Sequence, residues 1–155
     1  KQDIQLCKNL GCAGIVSGVL NKNNTIDLEK TKELVELSRP LQFTFHRAFD
    51  CVKDPKKSLE QLIDLDINRV LTSGLETSAE KGLNILKQLH EQANGRIIIL
   101  AGSGITSENA KIFEKAGFKE IHASASTEID SDGSLFSAPL TYSDPKKIKA
   151  ILDAI

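Results

Sequence analysis

The sequence predicts an α/β fold: a partial TIM (β/α)8 barrel comprising the last five βα units, with the first three strands missing. Three observations carry this. Five short apolar runs, residues 13–17, 41–46, 69–73, 97–101 and 120–124, start 23 to 28 residues apart, about the length of one βα unit. An amphipathic segment separates each run from the next, and strict alternation gives a parallel sheet with right-handed crossovers. The run Ile97-Ile98-Ile99-Leu100 is continuous rather than alternating, as in strands covered on both faces. A doubly wound open sheet fits the same alternation. The regular spacing favours the barrel, which typically needs about 250 residues; 155 residues starting at Lys1 and lacking methionine then predict a partial sequence. All of residues 1–155 are expected in one domain.

Each element has a local reason. A first helix over residues 4–10 stops at Gly11. The next begins at Asp27, a good N-cap, carries Leu28, Leu34, Val35 and Leu37, and stops before Pro40. Asp54-Pro55 opens another, since proline suits the first helical position. Residues from about Ser78 carry Leu83, Ile85, Leu86 and Leu89 toward Gly95, a helix stop. A fourth starts at Thr106 or Ser107 and ends before Gly117, and a last one starts at Ser143 or Asp144, again followed by proline. Residues 127–142 are long for a connection, which predicts a functional or mobile loop.

Composition excludes some partners. The chain is 40 % hydrophobic and 26 % charged with net charge −1, so no basic footprint for nucleic acid exists. Lys146, Lys147 and Lys149 alternate with Ile148 and Ile151 and read as the wet face of a helix. No apolar run reaches the roughly 20 residues of a membrane span. Cys7, Cys12 and Cys51 form no disulfide framework, which fits free thiols in a reducing compartment. Cys7 and Cys12 read as small buried fillers at the end of the barrel opposite its mouth.

Parallel β/α folds bind ligands beyond the carboxyl ends of their strands. The second run ends in Thr44-Phe45-His46-Arg47-Ala48-Phe49-Asp50. There His46 suits a general base or metal ligand, Arg47 an anion clamp, and Asp50 a group that orients either or caps a helix. Cys51 follows at the same mouth and with His46 offers a soft-metal pair. Ser73 and Gly74 end the third run, as anion-binding hydroxyl and glycine or as a plain tight turn. Gly102, Ser103 and Gly104 open into a helix N-terminus, a setting that favours an anion. His122 and Ser124 share one face of the fifth strand by alternation; His122 is either a barrel-lining catalytic group or a core histidine.

The blocks Gly14-Ile15-Val16-Ser17-Gly18-Val19-Leu20, Thr44-Phe45-His46-Arg47-Ala48-Phe49-Asp50, Arg69-Val70-Leu71-Thr72-Ser73-Gly74 and Ile121-His122-Ala123-Ser124-Ala125 together resemble the CutC family. The resemblance covers residues 1–126 and is looser over 144–155. It implies a TIM barrel, a cytoplasmic and often dimeric protein, and a copper-homeostasis role with Cu(I) binding. The cysteines usually credited with copper lie on the first strands of the family's barrel, and none of Cys7, Cys12 and Cys51 matches them. The family's P-G-G-G loop reads Ala101-Gly102-Ser103-Gly104 here. Two functions stay open: a Cu(I)-binding homeostasis factor, and a barrel enzyme acting on a small phosphorylated or carboxylated metabolite. In the second, His46 is the acid/base, Arg47 and the Gly102–Gly104 loop the anion clamp, and His122 and Ser73 support them.

Overall fold

The structure, a computed structural model, describes residues 1–129 and 140–155. Helix α1 (Gln2–Asn9) leads into β1 (Gly14–Ser17). Then α2 (Leu28–Ser38), β2 (Gln42–Phe45), a 3-10 turn (Arg47–Cys51), α3 (Pro55–Asp64), β3 (Arg69–Thr72), α4 (Leu83–Ala93), β4 (Ile98–Gly102), α5 (Ala110–Lys115) and β5 (Ile121–His122) follow. A hairpin, β6 (Ser126–Glu128) with β7 (Thr141–Ser143), precedes the last helix, α6 (Pro145–Asp153).

Strands β1 to β5 form one parallel sheet in chain order, β1-β2-β3-β4-β5. This is the predicted alternation of strand and helix. The period of two divides the sheet's faces. Phe43, Phe45, Val70, Ile99 and Ala101 are buried under the helices, against Leu59, Leu62, Leu86, Leu89 and Phe113. Burying each large side chain contributes about 1.5–3 kcal/mol. The alternate residues, Val16, Thr44, Leu71 and Leu100, lie on the other face, where Val16 is 63 % exposed. At the base of that face the Arg69 guanidinium donates to Glu120 at 2.6 and 2.9 Å and also to Gln42.

The N-caps behave as their residue types dictate. Asp27, Asp54 and Asp144 each accept a backbone N–H from the first turn of α2, α3 and α6. Other boundaries differ from expectation. Helix α4 starts at Leu83 rather than Ser78, because the Ala79 N–H donates to the Ser103 carbonyl (2.9 Å) and so ties the β3–α4 loop to the β4–α5 loop. Helix α5 starts at Ala110, since the Asn109 side chain accepts from the Thr106 N–H and donates to the Gly104 carbonyl, both at 2.8 Å. Strand β5 pairs over two residues only. The expected loop over residues 127–142 begins and ends as an antiparallel ladder, Ser126 opposite Ser143; its residues 130–139 lie outside the described part. Among the described residues, no helix is long and apolar enough to cross a membrane.

Candidate functional site at the carboxyl ends of the strands

The site begins where β2 ends. The His46 N–H donates to the Ser17 carbonyl (3.1 Å), so the ladder with β1 continues to the histidine. Gly18 makes room for its ring: a Cβ there would lie 2.8 Å from His46 Nδ1. The ring caps the 3-10 turn, Nδ1 accepting the Ala48 N–H at 3.2 Å. A neutral imidazole with Nδ1 so engaged carries its proton on Nε2. His46 therefore presents an N–H donor at the mouth, and its metal-binding lone pair is occupied.

Asp50 is the hub of the next layer. Its carboxylate accepts from Arg47 Nε (2.7 Å), the Ser73 N–H (3.0 Å), the Leu75 N–H (3.3 Å) and the Thr72 hydroxyl. Its side chain is 10 % exposed. Arg47 Nη2 donates to the Ser73 hydroxyl (2.9 Å), which itself donates to the Glu76 carbonyl (2.6 Å). Of the two roles open to Asp50 from sequence, orienting a neighbour or capping a helix, it takes the first, orienting Arg47 and the end of β3, while Asp54 caps α3. Ser73 is fully buried and internally bonded. Gly74, at φ +72, lies against Gly82, whose carbonyl oxygen would be 2.4 Å from a Cβ at Gly74. The close approach that Gly74 permits is to the chain's own backbone.

The third layer faces a cavity of about 520 Å³ lined by the β4–α5 loop, the end of β5 and the first turn of α6. Gly104 and Ser124 line it, together with Thr106, Ser107, Glu108, Ser126, Lys146 and Lys147. Hydrogen bonds from Thr106, then from its own N–H and from Ser107, hold the Glu108 carboxyl below its usual range. Lys147 Nζ donates to the Ser126 carbonyl at 2.6 Å. Gly102 is buried, and a Cβ there would meet Leu71 Cδ1 at 2.6 Å and His122 Cβ at 3.3 Å. Ser103 takes φ +92, a glycine-like backbone, and donates to the Thr77 carbonyl (3.2 Å). His122 is exposed on the face away from the helices, whereas Ser124 lies beyond the end of β5 and is exposed in the cavity against α6, so the two do not share a strand face.

The structure thus brings His46, Arg47, Asp50 and Ser73 together at the ends of β2 and β3, and Gly104 with Ser124 at the ends of β4 and β5. Cys51 is exposed at the end of the 3-10 turn. Among the described residues no three His, Cys, Asp or Glu side chains converge as a metal cage. Lys146 and Lys147, which the sequence pattern presents as a wet helix face, line the cavity. The signal for them is Asp144-Pro145, which puts both lysines in the first turn of a helix entered from the strand ends. Cys7 and Cys12 are half-buried rather than fully buried.

The model of the CutC family matches residues 1–127. A family protein CutC of Bacteroides thetaiotaomicron is 48 % identical over 132 residues, which cover 84 % of this chain and 53 % of the relative. A copper homeostasis protein cutC homolog of Mus musculus is 49 % identical over 132 residues, 84 % of this chain and 48 % of the relative. The chain thus spans about half the length of these relatives. The crystal structure of a CutC protein from Streptococcus agalactiae superposes with a TM-score of 0.73 at 36 % identity, covering 78 % of this chain and 60 % of that one.

Proposed function

The chain belongs to the CutC family, and from that premise we propose that it forms the last five units of a (β/α)8 barrel whose protein handles Cu(I) as cargo in the cytoplasm. The observation that carries this is its 49 % identity to a mouse relative named for copper homeostasis. Residues 1–155 act as one domain, with no nucleic-acid or membrane partner, and the intact barrel pairs as a homodimer. At the mouth the exposed Cys51 thiol is the soft ligand. His46 joins it once its ring releases the Ala48 N–H. A competition titration against a Cu(I) chelator under argon tests this. Cys51→Ser is expected to lower affinity about tenfold or more; an unchanged affinity removes Cys51 from the site.

A second reading has its own observation, the 520 Å³ cavity. Lys146 offers a charge to a phosphate or carboxylate, the Gly102, Ser103 and Gly104 loop and Ser124 offer donors, and Glu108 accepts from ligand hydroxyls. His46 Nε2–H, Arg47 and His122 then supply proton transfer and charge from the neighbouring strand ends, positioned by Asp50, Ser73 and Gly74. Inorganic phosphate or a phosphosugar is expected to raise the midpoint of thermal unfolding saturably, and Lys146→Ala to abolish the effect. A metabolite panel without any shift contradicts this reading.

A further inference from the structure

The first helix ends in a way that brings two thiols together. Its last residues are Cys7, Lys8 and Asn9, Leu10 is the cap, and Gly11 follows at φ +72. The Gly11 N–H returns to the Lys8 carbonyl at 3.2 Å, and the Cys12 N–H to the Cys7 carbonyl at 3.0 Å. These two bonds are the Schellman motif, which sets the side chain of the third-last helical residue against that of the second residue beyond the cap. Those residues are usually apolar; here they are Cys7 and Cys12. Both are free thiols, half-buried. Partial burial, then the hydrogen bond with the Cys12 thiol, pushes the Cys7 thiol above its ordinary range, with Asp3 adding to the effect.

We propose that Cys7 and Cys12 form a two-coordinate thiolate site for Cu(I), at the end of the sheet opposite the mouth. The proposal rests on the copper reading above. Donor type and number select the ion. Thiolates favour soft Cu(I). A structural Zn(II) takes four ligands, and among the described residues no third His, Cys, Asp or Glu joins the pair. Binding replaces two S–H bonds with two Cu–S bonds and releases two protons to the buffer; no electron is transferred. The backbone bonds of the motif fix the helix end that carries both cysteines before the metal arrives, so little of the α1–β1 turn must be reordered.

The test is an anaerobic titration of the reduced chain with Cu(I) against bicinchoninate, for the wild type and for Cys7→Ser, Cys12→Ser and Cys51→Ser. X-ray absorption counts the sulfur neighbours of the copper, and circular dichroism checks each fold. The expected result is a tight Cu(I) with two sulfur neighbours that the wild type and Cys51→Ser share, while Cys51→Ser loses only the second, weaker Cu(I) at the mouth. Cys7→Ser and Cys12→Ser should each weaken binding about a hundredfold or more with the fold retained. Wild-type affinity in both of those variants overturns the proposal; if Cys51→Ser alone loses copper, the mouth reading stands without it. A folded, reduced wild type that binds no Cu(I) overturns both. If, in addition, glutathione disulfide joins Cys7 to Cys12, the pair is a redox pair instead of a metal site.

Discussion

Asp50 accepts four separate donors from Arg47, Thr72, Ser73 and Leu75 while almost wholly removed from solvent. Removing it strands an arginine and two backbone N–H groups together. Asp50→Ala is expected to destabilise the chain by about 2–4 kcal/mol, read as a lower midpoint in urea with the slope unchanged. Ser103 carries the opposite expectation. A side chain at φ +92 is strained, so Ser103→Gly should stabilise by about 1 kcal/mol, less the lost bond to the Thr77 carbonyl; a destabilised variant would show that the bond outweighs the strain. The Arg47–Asp50 spacing was legible in the sequence. The partners at Thr72, Ser73 and Leu75 were not, because only the register of β2 against β3 brings them within reach. The contact between Cys7 and Cys12 was encoded in the Gly11 stop, yet the same residues also read as fillers.

At the scale of elements, local chemistry was read well and tertiary hydrogen bonds were not. The Asp27, Asp54 and Asp144 caps follow from residue type and a following helix. The late start of α4 depends on a bond to Ser103, which belongs to another loop, and that of α5 on the Asn109 side chain bridging Thr106 and Gly104 within its own loop. The β6–β7 ladder was hidden because its strands are three residues each and polar. Asp54→Ala should cost about 1 kcal/mol as a lost cap, measured by chemical denaturation. Asp144 makes a pH prediction. The Lys146 N–H, then the Thr127 hydroxyl, hold its carboxyl below the usual range. A lowered folded value stabilises fully above the unfolded value, about 4. That contribution is lost as pH falls through the lowered value. Amide exchange in α6 should therefore accelerate in acid in the wild type, and much less in Asp144→Asn; equal acid responses would contradict the capping account.

The whole molecule shows the α/β class and the parallel order that periodicity predicted. Periodicity favours the barrel over the open sheet without excluding the latter, because five units are compatible with both. The exposed face distinguishes them experimentally. Val16 stands on β1, an edge of the sheet, and is 63 % exposed in this chain. If the sheet closes with further strands, Val16 points into a packed interior. Val16→Lys should then cost under about 0.5 kcal/mol in this chain and about 2–4 kcal/mol in a completed barrel. Equal small costs in both would favour the open sheet. The same geometry exposes two strand edges, β1 and β5, to pairing with other chains.

The central claim is that a protein of this family handles Cu(I) and that this portion carries ligands for it. It is tested most directly by anaerobic Cu(I) competition on this chain and on a barrel completed with the N-terminal strands of a relative, side by side. The account predicts tight, stoichiometric binding by both, with this chain's share lost when its thiols are replaced by serine. A folded, reduced, completed barrel that leaves all copper with the competing chelator would contradict it, and the cavity between the β4–α5 loop and α6 would then become the leading site.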